Sequence, residues 1–456
     1  MSPFGSSLSR KDFLCTLFNA LDDASVRYCV LHSWEEIPEK LSSDLDLAVH
    51  PGDLGNLPLV FQCLRGHGYT PVQVFNYFVN AYYFVFSWFE GPVLDSLAID
   101  IIFEHRRGGL IVPSGEALVS GRRRKGMLWI PSPESEFSYL LSKKIWKGAA
   151  PAQQANRLRT LVKELGKPVA ERLACELLLR RSAKRVVDAC ANGGVDSLFV
   201  QMRGHTWVTS IVKNPFMFAS YLCSEIVRRV RRWLQPTGLL VVVAGPDGAG
   251  KSTLIERLIQ ATGPTFRRHK VFHWRPALLW RRKSTRDTTQ PHSDAPDGFS
   301  WSVARLLAYL LDYWLGYLIL VRPLLARSGL IIFDRYFDDL LIDPKRYCFG
   351  APLGLVRALR PIIPKPDLVL VLDADEEVVF SRKQEVQLAE VRRQRALYRA
   401  IKVGASNAQI VDASASIAQV EAESAQAIVK HLAQRFECQH PCWLSSGDNG
   451  SLAGLD

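Results

Sequence analysis

"LLVVVAGPDGAGKSTLIERL", residues 239–258, decides the fold. Its first half is a run of branched apolar residues, which reads as a strand buried on both faces of a parallel sheet. The second half is Gly245, Pro246, Asp247, Gly248, Ala249, Gly250, Lys251, Ser252 and Thr253, and it fits G-x-x-x-x-G-K-[ST]. Apolar residues then recur at helical period, so strand, glycine loop and helix come in the order of a polyphosphate cradle. Glycines let the backbone turn tightly and aim successive N–H groups inward, so that loop and helix N-terminus hold phosphate oxygens. In such a cradle Lys251 neutralises the β and γ oxygens and the Ser252 hydroxyl holds Mg²⁺.

Downstream the alternation continues. "KVFHW" at 270–274, "GLIIF" at 329–333, "PDLVLVLDA" at 366–374 and "AQIVDA" at 408–413 read as four more strands. Five strands alternating with helices predict a parallel five-stranded sheet, a P-loop NTPase fold, with ligands at the carboxyl ends of the strands. Gly245, Arg275, Asp334 and Asp373 all fall there. The segment from Arg281 to Gly298 is polar and is expected to be mobile. The apolar run at 303–325 contains Arg305, Asp312 and Arg322, so its uncharged part is too short for a bilayer and reads as a buried helix.

At 456 residues the chain is long enough for two or three domains, and 48% hydrophobic with 22% charged residues excludes wholesale disorder. A formal charge of +12 favours anionic partners. The N-terminus lacks an apolar signal segment and the nine cysteines are scattered, which predicts reduced thiols and a cytoplasmic location. Cys438, His440 and Cys442 lack both knuckle spacing and a fourth zinc ligand.

The rest divides into residues 1–130, with mixed helix and strand signals, a helical connector at 131–236, the phosphate-loop domain at 237–436 and a disordered tail at 437–456. The connector ends in a helix whose last turns carry Arg228, Arg229, Arg231, Arg232 and Trp233. Two readings stand for it: a weak contact with an anionic membrane surface, or a helix between domains with a solvated arginine face.

The C-terminal residues resemble the thymidylate kinase family of P-loop nucleoside monophosphate kinases, on "GPDGAGKST", "DRY" at 334–336 and "PDLVLVLDADEEVVFSRK" at 366–383. The resemblance implies ATP and Mg²⁺ as cofactors and a small-molecule phosphate acceptor, dTMP or a relative. It implies that Asp247 faces the acceptor, that Asp334 serves Mg²⁺ and acceptor, that Arg335 grips the acceptor phosphate and that Tyr336 belongs to the same acceptor site. The loop carries no arginine, which is similar to members whose lid supplies one, so Arg382 is the first catalytic candidate beside Lys251 and Arg335. Lys383, Arg392 and Arg393 complete the lid. "HWRPALL" at 273–279 replaces the family's acidic-proline-glycine turn, although its Arg275 can still meet an anion. A sugar or glycan acceptor, or a nucleotide-binding switch at a membrane-side assembly, are the rival readings. "FHWRPALL" at 272–279, "PH" at 291, "LLDYWLGY" at 310–317, "DPKRY" at 343–347 and "RKQE" at 382–385 resemble a divergent thymidylate-kinase-like group of bacterial proteins, whose members often accompany surface-polysaccharide genes.

"SSDLDLAVH" at 42–50 places Asp44 and Asp46 on one side of a strand, and Asp100 lies in "LAIDIIF". This resembles the D-x-D and later D of the nucleotidyltransferase fold, an α/β domain in which three carboxylates hold divalent ions. The upstream Gly-Ser pair is missing, replaced by His32 and Ser33. No specific nucleic acid partner is expected, and a homodimer is.

Overall fold

The computed structural model describes residues 8–41, 44–193, 196–279, 295–382, 388–404 and 407–444. The chain divides into two compact units, residues 1–88, 96–230 and 435–456 in one and 89–95 and 231–434 in the other.

The first unit is built on five strands, β1 (Tyr28–Val30), β2 (Leu45–Val49), β3 (Thr70–Phe78), β4 (Ala81–Glu90) and β5 (Val93–Ile102). Their order is β1-β2-β5-β4-β3, with β2 and β5 parallel and the pairs β1/β2 and β3/β4 antiparallel. Side chains alternate across the sheet. Tyr28, Val30, Leu45, Leu47, Ile99 and Ile101 enter a core shared with helices Arg10–Asp23 and Leu57–Gly66. Cys29, Ala48 and Ile102 face the other way, onto helices Pro133–Lys147, Ala152–Leu165, Lys167–Leu177 and Arg180–Asn192. Most of the helices expected to form a separate connector are therefore part of this unit, where they cover one face of the sheet together with helix Gly115–Val119.

The expected tail is a second correction. The helix Ile417–Gln439 runs into a short 3-10 turn, Pro441–Trp443, and Trp443 is buried in the first unit's core. Its ring lies 5.0 Å from Phe84, 5.3 Å from Tyr82 and 6.0 Å from Phe61. Residues 445–456 lie outside the described residues.

The second unit carries β6 (Leu239–Ala244), β7 (Arg268–His273), β8 (Gly329–Asp334), β9 (Leu368–Asp373) and β10 (Ala408–Asp412), in the order β7-β8-β6-β9-β10. All neighbours are parallel, as a P-loop fold requires. The central strand β6 is buried at all six positions, which is why its sequence is continuously apolar. Helix Phe299–Gly316 continues through a π turn, Tyr317–Val321, to Arg322–Leu325. By length and composition this helix could cross a membrane. Only one side of it is buried, through Leu306, Asp312, Tyr313 and Gly316, while Leu307, Leu311, Trp314 and Ile319 are exposed. The expectation of a buried helix holds for that one side. Of the basic helix expected after β9, Glu376–Arg382 and Leu388–Gly404 are helical, and residues 383–387 between them lie outside the described residues. Most of the polar segment expected to be mobile, up to residue 294, lies outside the described residues.

Candidate functional site

The phosphate loop leaves the end of β6 and reaches helix Lys251–Thr262 through glycines at φ +150° (Gly245), +89° (Gly248) and +89° (Gly250). A Cβ at Gly245 would stand 2.9 Å from the Leu372 carbonyl oxygen at the neighbouring end of β9, so this glycine is required by space as well as by φ. Lys251 is buried and donates from Nζ to the carbonyls of Gly245 (2.9 Å) and Pro246 (2.8 Å). Burial, then repulsion from Arg335, lowers its ammonium to about 8, against the pull of Asp247. Ser252 and Thr253 open the helix and are exposed. A cavity of about 270 Å³ adjoins the loop, between Gly248, Gly250, Thr253 and Arg257 on one side and Ala413 and Ile417 on the other. A larger one, about 560 Å³, is lined by Tyr336, Arg360, Lys365 and Tyr398 and contains no loop residue, so the smaller cavity is the one placed for nucleotide chemistry.

Asp247 is the hub of the loop. It accepts from Arg335 and Arg346 and stands 3.5 Å from Lys251 Nζ. Burial alone would push its carboxyl up, but Arg335, Lys251 and Arg346 more than offset this and hold it well below the carboxylate range. Arg335, at the end of β8, has φ +70°, a conformation that a side-chain-bearing residue keeps only when its surroundings demand it. Its N–H donates to Val243 (3.0 Å) and its guanidinium also holds Asp339 at 2.7 Å. Arg346 had no local signal; only the chain's return after β8 brings it to Asp247.

Asp334 carries one oxygen toward His273 Nδ1 (3.2 Å), while its Oδ1 is buried without a hydrogen-bond partner among the described residues. Burial would raise this carboxyl; the His273 contact and Lys251 lower it instead. A carboxylate with one buried oxygen unbonded, near enough to Lys251 for each to act on the other's charge, fits a Mg²⁺–water shell.

Three expectations change here. Arg275 donates to Asp312 (2.7 Å), a fully buried acid that also accepts from the N–H groups of Ala277, Leu278 and Leu279, so it is an anchor of its own turn. Tyr336 points into the core, edge-on to Phe333 and Tyr313, with its hydroxyl on the Pro364 carbonyl at 2.7 Å. Among the residues expected to form a lid, Arg392 holds Glu376 and Arg393 holds Glu390 and the Ile342 carbonyl. The Arg382 side chain and Lys383 lie outside the described residues. Arg395 and Arg399 reach back to the strand end instead. Arg395 bonds Asp373 (2.6 Å), Asp375 (3.0 Å) and Glu376 (2.7 Å), and Arg399 bonds Asp373 (3.0 Å). They were overlooked because a basic helix gives no sign of which arginines turn inward.

In the first unit Asp46 and Asp100 are register partners on parallel strands, on the face toward the helices. Asp44 is exposed, one residue before β2. The position a cation would take is held by Lys143 Nζ, 3.1 and 3.2 Å from the two Asp46 oxygens, 2.9 Å from His32 Nε2 and 2.9 Å from Tyr139 Oη. Despite burial, Lys143 and His32 keep Asp46 ionised far below its usual range. The three-carboxylate metal site is therefore corrected: Asp46 is already neutralised, and no cluster of three or more His, Cys, Asp or Glu side chains suited to a metal forms among the described residues.

No family model matches the chain. The thymidylate kinase of Xanthomonas campestris pv. campestris (strain B100) is 28% identical over 215 residues, 44% of this chain and 88% of the relative. That of Xanthomonas oryzae pv. oryzae (strain PXO99A) is 29% identical over 215 residues, with the same coverage. A probable thymidylate kinase of Methanospirillum hungatei JF-1 is 31% identical over 149 residues, 32% of this chain and 67% of the relative. Alignments of this length are close to that of the phosphate-loop unit, and the sheet order and loop geometry of that unit suit phosphoryl transfer between nucleotides. The chain belongs to the thymidylate kinase family.

Proposed function

We propose that the phosphate-loop unit transfers the γ-phosphoryl group of ATP to the phosphate of a nucleoside monophosphate, dTMP or a relative. The observation that carries this is the network around Asp247, in which Lys251, Arg335 and Arg346 converge on one loop carboxylate. The donor's polyphosphate lies along the loop N–H groups and the helix N-terminus, displacing Lys251 Nζ from the Gly245 and Pro246 carbonyls onto the β and γ oxygens. The cavity between the loop and Ala413–Ile417 takes the base on its apolar wall.

Ser252 and Asp334 are the residues that would hold Mg²⁺, which when bound adds positive charge at the β and γ oxygens. Arg335 exchanges its Asp247 contact for the acceptor phosphate, while Asp339 keeps the guanidinium in place. An acceptor oxygen then attacks the γ phosphorus in line, the bridging P–O bond breaks, and ADP leaves with the electron pair. Arg346, Arg382 and the inward arginines of the second lid helix are the further charges available to the moving phosphoryl group.

The first unit's mixed sheet, with Asp46 beside Asp100, supports a relationship to nucleotidyltransferases in fold; its residues do not fit their metals, and no chemistry is assigned to it.

The test is ADP formation from ATP with Mg²⁺, challenged with dTMP, other nucleoside monophosphates and sugar phosphates, with Lys251→Ala alongside. Turnover stimulated by a nucleoside monophosphate and reduced at least 100-fold in the variant is the expected result. Stimulation by sugar phosphates alone, or equal turnover in the variant, rejects the proposal.

A further inference from the structure

Helix Pro215–Leu234 leaves most of its apolar residues outside. The side it turns inward is mixed: Met217 and Phe218 are half-buried, with Phe218 edge-on to Trp207 at 5.3 Å, Tyr221 and Glu225 are buried, and Glu225 accepts from Arg228 at 2.6 and 3.1 Å. Phe216, Ala219, Cys223, Ile226, Val230 and Trp233 recur three and four residues apart and are exposed. With 3.6 residues per turn, these positions and the neighbouring Leu222, Val227 and Leu234 fall in an arc of about 140°. Phe216 is 87% exposed, Leu234 67% and Ile226 61%. On the preceding helix, Asp196–Lys213, Val208, Ile211 and Val212 are exposed as well. Scattered exposed apolar residues need no explanation, but a stripe along a whole helix marks a surface that binds.

The charges say what it binds. On the same helical projection Arg229 borders the stripe on one edge and Arg231 on the other, and Arg229 is 76% exposed. Four arginines stand against the single Glu225 on this helix. Apolar residues flanked by arginine, with a tryptophan near the end, match a helix lying in a headgroup layer. Four arginines in the last seven residues exclude a span. We propose that residues 215–234 form an amphipathic helix that lies flat on an anionic lipid surface, its apolar stripe among the acyl chains and its bordering arginines on the headgroup phosphates.

The experiment is flotation of the full chain with vesicles of phosphatidylcholine alone and of phosphatidylcholine mixed with phosphatidylglycerol. Beside it run Phe216→Ser/Ile226→Ser and Arg229→Glu/Arg231→Glu, with circular dichroism and unfolding midpoints to verify their fold. The wild-type chain is expected to float with the mixed vesicles and not with the neutral ones. Each double variant should weaken binding by on the order of tenfold or more, and raised salt should weaken the wild type. Failure to float with anionic vesicles, or equal flotation with neutral ones, overturns the proposal. So does a dimer in light scattering that Phe216→Ser/Ile226→Ser dissociates and that anionic vesicles do not compete, since the stripe would then meet a second copy.

Discussion

Lys251 spends its charge on two carbonyls of its own loop while waiting for phosphate. Its pKa, lowered to about 8, gives this a measurable sign. Above pH 8 the free folded protein carries a largely neutral lysine, and bound polyphosphate raises the pKa again. ATP binding should therefore take up close to one proton per site above pH 8 and none near pH 6, and affinity should fall as pH rises through that value. Calorimetry in buffers of different ionisation heat reads this directly; no buffer dependence at pH 9 would contradict it. The folded pKa lies below the ordinary lysine value, so Lys251 makes the empty protein less stable below pH 8 than the unfolded reference would suggest. Asp46 is the opposite case. Lys143→Met should cost about 3–5 kcal/mol in urea unfolding, because a buried carboxylate loses its main partner. Adding Asp46→Asn should return a large part of that loss. Additive losses in the two single variants would mean that the pair is not coupled.

Among the elements, the helical segments Glu376–Arg382 and Leu388–Gly404, proposed as the lid, are tied to β9 through Arg395, which reaches three acids at once. Arg395→Ala should lower amide protection of residues 388–404 by about tenfold or more, with little change in the amides of β6. Hydrogen exchange followed by mass spectrometry checks it, and unchanged protection of the lid would assign the hold to other contacts. The strands show how much was legible. β6, β8 and β9 were readable because each is a short apolar run, as a buried parallel strand requires, while the outer strands β7 and β10 show only short apolar cores, Val271–Phe272 and Ile410–Val411. Gly245 to Ser252 were readable because a phosphate cradle constrains adjacent residues. Arg346 on Asp247, Lys143 on Asp46 and Asp312 on Arg275 were not, since each joins residues at least 37 apart and nothing local records the pairing. Tyr336 was misread for a related reason: the strand-end triplet it belongs to says nothing about which side of the sheet its ring takes.

Across the whole molecule the departure from expectation is at the C-terminus. Trp443 was read as part of a tail, yet its ring closes an aromatic group with Phe61, Tyr82 and Phe84 in the first unit. Trp443→Ala should cost about 3–5 kcal/mol, seen in the unfolding transition of that unit and not in the one protected by ATP. A variant that melts like the parent would make the contact ornamental. Since residues 435–444 belong with residues 1–88, the kinase unit is in sequence an insertion between two parts of one core. That arrangement has a consequence during synthesis. The first unit to emerge from the ribosome is the last to be completed, because its aromatic cap is translated after the entire kinase. An interrupted chain would leave Phe61 and Phe84 without their cover even when the phosphate loop is already folded, and cellular proteases could recognise it there.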